Sequence, residues 1–196
     1  MTDEPLPLAV VFREALLFAG SRKDAVLFGA QAVNAYCETE RMTQDIDLLS
    51  TCASELAEAM RAHLAEKFNI AVRVREVAEQ MGFRVYQIRK PRNRHLVDVR
   101  QVGELPASRD IAGVQVIEPL ELITMKVEGL AARLHRPKGD TDRADLRRLL
   151  MVFPDFKRSD SPVRDRLAGS PNAAVLLPLW TALAAEISEP DQDDEY

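Results

Sequence analysis

The segment Asp45-Ile46-Asp47-Leu48-Leu49 sets two carboxylates two residues apart inside a short apolar run. A run of this kind reads as a strand from Asp45 to Ser50. Strand side chains alternate faces, so Asp45 and Asp47 are expected on one face while Ile46 and Leu48 enter the core. Two like charges held side by side repel, and an apolar sheet stabilises neither. A divalent cation resolves that conflict. The feature points to metal-assisted chemistry on an oxygen-rich substrate, above all a phosphate.

The rest of the sequence narrows the setting. A chain of 196 residues with 46% hydrophobic residues can bury a sizeable core, as one domain or as a catalytic core with a helical appendage. No apolar run approaches the roughly 20 residues that span a bilayer. The N-terminal MTDEPLPLAVVF carries acid where a signal peptide carries base. A cytoplasmic protein without a membrane partner is therefore expected. Cys37 and Cys52, with His63, His95 and His135 scattered along the chain, form neither a disulfide framework nor a zinc pattern.

The formal net charge of −5 argues against a wholesale electrostatic grip on nucleic acid. Its distribution is uneven. Basic residues gather at Arg84, Arg89, Lys90, Arg92, Arg94, His95 and Arg100, and again from Arg133 to Arg148, while acid concentrates from Glu186 to Tyr196. That tail has few apolar anchors and is expected to be disordered.

Periodicity predicts a helix over Leu8–Phe18, a buried strand over Asp24–Phe28 and a helix over Ala30–Tyr36 after Gly29. The strand Asp45–Ser50 follows, then a helix over Ser54–Phe68 with its apolar stripe at Leu56, Met60 and Leu64. Further strands are expected at Ile70–Val77, Phe83–Ile88, His95–Val99 and Val114–Ile117. After Pro119 the pattern becomes helical, with segments Leu120–Leu134, Asp142–Val152 and Ala173–Ile187 separated by Pro-containing loops. The expected organisation is an α/β core over 1–118, a helical extension packed on it over 119–188, and an acidic tail over 189–196.

Gly29 stands where strand gives way to helix. A glycine there lets a phosphate approach backbone N–H groups at a helix N-terminus. Asp98 lies in the strand Leu96-Val97-Asp98-Val99, on the face opposite its valine neighbours, and beside Asp45 and Asp47 it would complete a three-carboxylate cluster. Such a cluster can hold two Mg²⁺ ions for an in-line displacement, and the third carboxylate can also take the proton of an incoming hydroxyl. His95 reads as a solvated residue at a strand start. Lys126 flanks the apolar face of its helix, a position from which lysine ordinarily snorkels to water.

The arrangement Gly29-Ala30-Gln31, then Arg41-Met42-Thr43-Gln44-Asp45-Ile46-Asp47, then Asp98, resembles the DNA polymerase beta superfamily of nucleotidyltransferases. Within that superfamily the likeness is greatest to AbiEii/AbiGii-type toxins. It covers roughly residues 24 to 150 and continues through Lys126, Arg133 and Asp142-Arg-Ala-Asp145-Leu. It implies an α/β (α+β) nucleotidyltransferase core, a mixed sheet flanked by helices, with a C-terminal helical extension. The implied activity is transfer of a nucleoside monophosphate from an NTP to a hydroxyl acceptor, with Mg²⁺ as cofactor and pyrophosphate released. RNA or tRNA is the implied acceptor, and an antitoxin protein the implied partner.

By position, the resemblance makes Asp45, Asp47 and Asp98 metal ligands, with Asp98 a ligand or base. Gly29, Ala30, Gln31, Arg41 and Thr43 would hold or shape the nucleotide site. Lys126 would neutralise the triphosphate, and Arg133, Asp142 and Asp145 are further candidates, although Asp142 also reads as a first-turn acid. Ala30 departs from the Gly or Ser of most members, and the Gln31 amide is a candidate substitute. Two other readings stand beside this one. The acceptor could be a small cationic molecule such as an aminoglycoside, which the acidic composition suits, or the fold could serve binding without catalysis.

Overall fold

The structure, a computed structural model, describes residues 7–77 and 81–186. The acidic tail expected at 189–196 lies outside them. The chain divides into two compact units, one made of residues up to Ala35 and Glu40–Glu118, the other of Tyr36–Thr39 and the chain from Pro119.

The first unit is a mixed sheet with helices on it. Its elements in chain order are α1 (Leu8–Gly20), β1 (Ala25–Phe28), α2 (Gly29–Tyr36), β2 (Ile46–Ser50), α3 (Ala53–Phe68), β3 (Val72–Val77), β4 (Gly82–Gln87), β5 (Arg94–Gln101), β6 (Ser108–Ile111) and β7 (Val114–Ile117). Seven strands run in the order β3-β4-β5-β2-β1-β7-β6. The pairs β2–β5 and β1–β7 are parallel, and the other neighbours are antiparallel.

Leu56, Met60 and Leu64 recur at the spacing that builds one stripe on α3, and all three are fully buried. Each contributes about 1.5–3 kcal/mol by leaving water. That stripe covers β3, β4 and β5, while α1 packs on α3, β1 and β7. The sheet face beneath them carries Ile46, Leu48, Val85, Val97 and Val99, all buried. The alternate positions Asp47, Asp98 and Arg84 therefore occupy the other face.

Two local expectations change. Strand β2 starts at Ile46, so Asp45 sits in the bend just before it and not within the strand. The expected strand Val114–Ile117 has an unforeseen partner, β6, joined through Ala112 and Gly113, whose φ values are +52° and +81°. Positive φ at both central residues is the geometry of a two-residue hairpin turn.

The second unit is helical. It contains α4 (Pro119–Ala132), α5 (Pro137–Val152), a 3-10 turn at Pro154–Lys157, α6 (Pro162–Ala168) and α7 (Ala173–Ala185). Leu122, Ile123, Leu130, Leu146, Leu149 and Trp180 form its buried core. Helix α5 begins at Pro137, ahead of the expected Asp142, because proline at the first helical position gives up an N–H that has no partner there anyway. Asp142 is therefore in the body of α5 and not in its first turn. Gly139 permits a close approach: a Cβ there would stand 2.2 Å from the Arg133 carbonyl oxygen.

Candidate active site

Sheet register assembles the polar face. Across the strands, Phe28 pairs with Asp47, Asp47 with Asp98, and Asp98 with Arg84. Asp47 and Asp98 are thus direct neighbours on parallel strands, brought together from positions far apart in sequence. Asp47 is half-buried while the rest of β2 is fully buried. Like charges placed opposite one another are destabilising unless compensated.

Part of the compensation comes from cations of the same unit. Arg84 grips Asp98 with both arms, Nε donating to Oδ1 at 2.9 Å and Nη2 to Oδ2 at 3.1 Å. His95 bridges two carboxylates, its Nε2 lying 2.7 Å from Asp98 Oδ1 and its Nδ1 3.1 Å from Asp45 Oδ2. Burial works against a charged imidazole, but the bonds to Asp45 and Asp98 prevail and raise His95 to about 9. Burial likewise works against the Asp98 carboxylate, yet His95 and Arg84 hold it down at about 2. His95 is therefore half-buried and doubly paired, not a solvated strand-start residue.

Gly29 is fixed by geometry. Its φ is +68°, and a Cβ would stand 2.1 Å from Asp47 Oδ2. The turn needs glycine so that the chain can pass over the Asp47 carboxylate, an added reason to the phosphate approach expected from sequence. Gly29→Ala would force an L side chain into left-handed backbone at about 1–2 kcal/mol and displace Asp47 besides. A lowered melting temperature, together with weakened divalent-cation binding, is the expected result. A variant that melts and binds as wild type would contradict this reading of Gly29.

The loop before β2 is tied to α2. Gln31 Nε2 donates to Thr43 Oγ1. Asn34, buried, donates from Nδ2 to the Arg41 carbonyl at 2.8 Å and accepts from the Arg41 N–H at 3.1 Å. Arg41 Nη1 donates to the Met42 carbonyl at 3.2 Å. Gln31 and Thr43 are thus joined directly, Arg41 is tied to α2 through Asn34, and Ala30 sits half-buried in the first turn of α2. Asn34 was not foreseen. A polar amide on the buried side of α2 was the available signal, since such a group demands partners.

Lys126, Arg133, Asp142 and Asp145 are brought together inside the helical unit. Lys126 is buried and does not snorkel; its Nζ donates to Asp145 Oδ2 at 2.6 Å and Asp142 Oδ1 at 3.2 Å. Arg133 Nη2 donates to Asp142 Oδ2 at 2.7 Å. Arg148 lies 3.8 Å from Asp145 Oδ1 and also donates to the Thr39 carbonyl. These bonds fasten α4 to α5.

Ligand atoms of Asp45, His95 and Asp98 all lie within 4.8 Å of one another. With Asp47 beside Asp98, the donor set is dominated by carboxylate oxygen and fits a hard divalent cation such as Mg²⁺. An ion bound through Asp98 has to compete with Arg84 and His95 for its oxygens. A cleft of about 160 Å³ opens beside the pair, lined by Phe28, Asp47, Gly82, Phe83, Asp98 and Arg100 among others.

No protein-family model matches this sequence, and no curated protein matches it either. Solved structures do resemble the fold. The Megavirus polyadenylate synthase matches with a TM-score of 0.64 at 15% identity over 82% of this chain, which spans only 34% of that protein. An antigenic nucleotidyltransferase-like protein from Paracoccidioides brasiliensis matches at 0.50 and 16% identity, covering 86% of this chain and 91% of the other. ANT(2″)-Ia in complex with adenylyl-2″-tobramycin matches at 0.50 and 16% identity, over 90% and 95% of the two chains. The mixed seven-stranded sheet with its flanking helices is the nucleotidyltransferase fold.

Proposed function

We propose that this chain is a divalent-metal-dependent nucleotidyltransferase that moves a nucleoside monophosphate from an NTP to a hydroxyl acceptor. One observation carries the reading: Asp47 and Asp98 stand side by side on parallel strands, with Asp45 at the strand start and Gly29 turned over Asp47. Bound Mg²⁺, two ions in the full site, would supply charge neutralisation to the phosphates and orient the displacement.

The chain's own residues divide the remaining work. Asp45 and Asp47 would hold the cation. Asp98, whose carboxylate His95 and Arg84 hold below its ordinary range against its burial, would join Asp45 and Asp47 as a ligand or take the proton of the acceptor hydroxyl. Gln31, Asn34, Arg41 and Thr43 hold the loop that delivers Asp45 and Asp47 to the site. Gly29 and Ala30, opening α2, would face the triphosphate. Lys126, Arg133, Asp142 and Asp145 are assigned here to joining α4 and α5, since the Lys126 ammonium is bound to both carboxylates.

The resemblance in Arg41–Asp47 supports a narrower reading, an AbiEii-type toxin acting on RNA and paired with an antitoxin protein. A small-molecule acceptor is the other reading, supported by the likeness to ANT(2″)-Ia. Incubation with each radiolabelled NTP, Mg²⁺ and either total RNA or an aminoglycoside tests them. Metal-dependent label on an acceptor is expected. Label on neither acceptor, from any NTP, would contradict transferase activity.

A further inference from the structure

The outward face of β3 carries two arginines, Arg73 and Arg75, that the metal site does not use. Register places Arg75 opposite Arg84 and Arg73 opposite Tyr86, on the face that also presents Asp98 and Arg100. On the reverse face of these strands Val72 and Val85 are buried beneath α3, beside Val97 of β5. Arg73, Arg75, Arg84 and Arg100 are exposed. Arg84 is compensated by Asp98, and Arg100 lies over the Phe28 ring at 5.0 Å. Among the described residues, Arg73 and Arg75 have no ion-pair partner.

Arg84 is already held by Asp98, so the cations on this face left for an anionic ligand are its cross-strand neighbour Arg75 and, two residues along β3, Arg73. Residues two apart on a strand are about 6.5–7 Å apart and neighbouring strands about 4.8 Å, which sets the guanidinium groups out as a track and not a point. A point anion needs one such group. Two in line, with an aromatic ring at Tyr86 alongside, match a chain of phosphates with bases to stack. The same pair repels a polycation. The formal net charge of −5, which by itself suits a cationic acceptor, therefore misdescribes this face.

We infer that the outward face of β3–β4 binds a single-stranded phosphodiester chain, with Arg73 and Arg75 as phosphate contacts leading toward the carboxylates. As an acceptor track this rests on the transferase reading; as a binding site it does not. Guanidinium groups recognise the phosphates of RNA and DNA alike, and the two are separated by experiment.

The test is fluorescence anisotropy with labelled 12-mer oligo(U) and oligo(dT) over a salt series, on wild type, Arg73→Glu/Arg75→Glu and the milder Arg73→Gln/Arg75→Gln. Wild type is expected to bind at low salt, and the charge reversal to weaken binding about tenfold or more. The neutral pair should lower the slope of log affinity against log salt by about 1.4, from about 0.7 per phosphate contact for single strands. Both variants should keep the wild-type melting temperature and NTP affinity. Preference for oligo(U) over oligo(dT) would assign the track to RNA, and equal binding to either strand chemistry. Absence of strand binding in wild type, equal binding by the charge-reversed variant, or tight binding of an aminoglycoside instead would overturn the inference. Strand binding without NTP binding would leave it standing while the transferase reading fails.

Discussion

Lys126→Met is expected to destabilise the helical unit by about 3–5 kcal/mol, the cost of breaking a buried ion pair from one side. The side chain of Asp145 is fully buried and that of Asp142 nearly so, and Lys126 is bonded to both. Removing the ammonium takes from Asp145 its 2.6 Å bond, and Arg148 at 3.8 Å is too far to replace it with a good hydrogen bond. Asp142 fares better because Arg133 still donates to it at 2.7 Å. The double variant Lys126→Met/Asp145→Leu should recover most of the loss, since apolar replacements of a buried pair are often neutral. Thermal and urea melts of the three proteins decide this. If Lys126→Met melts as wild type, the network does not fasten α4 to α5, and its lysine becomes available for a triphosphate.

The second large effect concerns transfer itself. Asp47→Asn keeps the shape of the side chain and removes its charge, at a position with Asp98 on one side and Gly29 on the other. Losing one group that stabilises charge in a transition state costs about 10²–10³ in rate, and a metal ligand should lie at the upper end. The melting temperature should hold or rise, because one of several crowded carboxylates has gone. A rate within a few-fold of wild type would remove Asp47 from the site. Arg84→Gln separates holding from chemistry: it frees one arm of Asp98, so it should change divalent-cation affinity more than it changes the fold.

Much of the sheet was legible because alternation and burial are local properties. Val97-Asp98-Val99 announces its two faces, and Leu56, Met60 and Leu64 announce the stripe of α3. Proline separates elements and also opens them. Pro119, Pro137 and Pro162 each begin a helix, so α5 starts ahead of Asp142 and α6 occupies a stretch that reads as a Pro-containing loop in sequence. Strand β6 escaped because Ser-Arg-Asp-Ile lacks alternation and its hairpin carries Ala112 where Asn or Asp would signal positive φ.

The candidate site was legible as a set of residue types, less so as a set of bonds. Asp45, Asp47 and Asp98 do meet on one side of the sheet unit. Their bonds to His95 and Arg84 depend on the β4–β5 register, which shifts between Val85 and Tyr86. No local pattern encodes that shift. Lys126 shows the same limit from the other side, because its partners lie on the next helix, 16 and 19 residues away.

The central claim is that Asp45 and Asp47 bind a divalent cation through which an NTP is held. Isothermal calorimetry of NTP binding, with and without Mg²⁺, on wild type and Asp45→Ala/Asp47→Ala tests it most directly. The predicted result is Mg²⁺-dependent binding in wild type that disappears in the double variant while its melting curve stays cooperative. NTP affinity that is indifferent to Mg²⁺, or unchanged in the double variant, would contradict it.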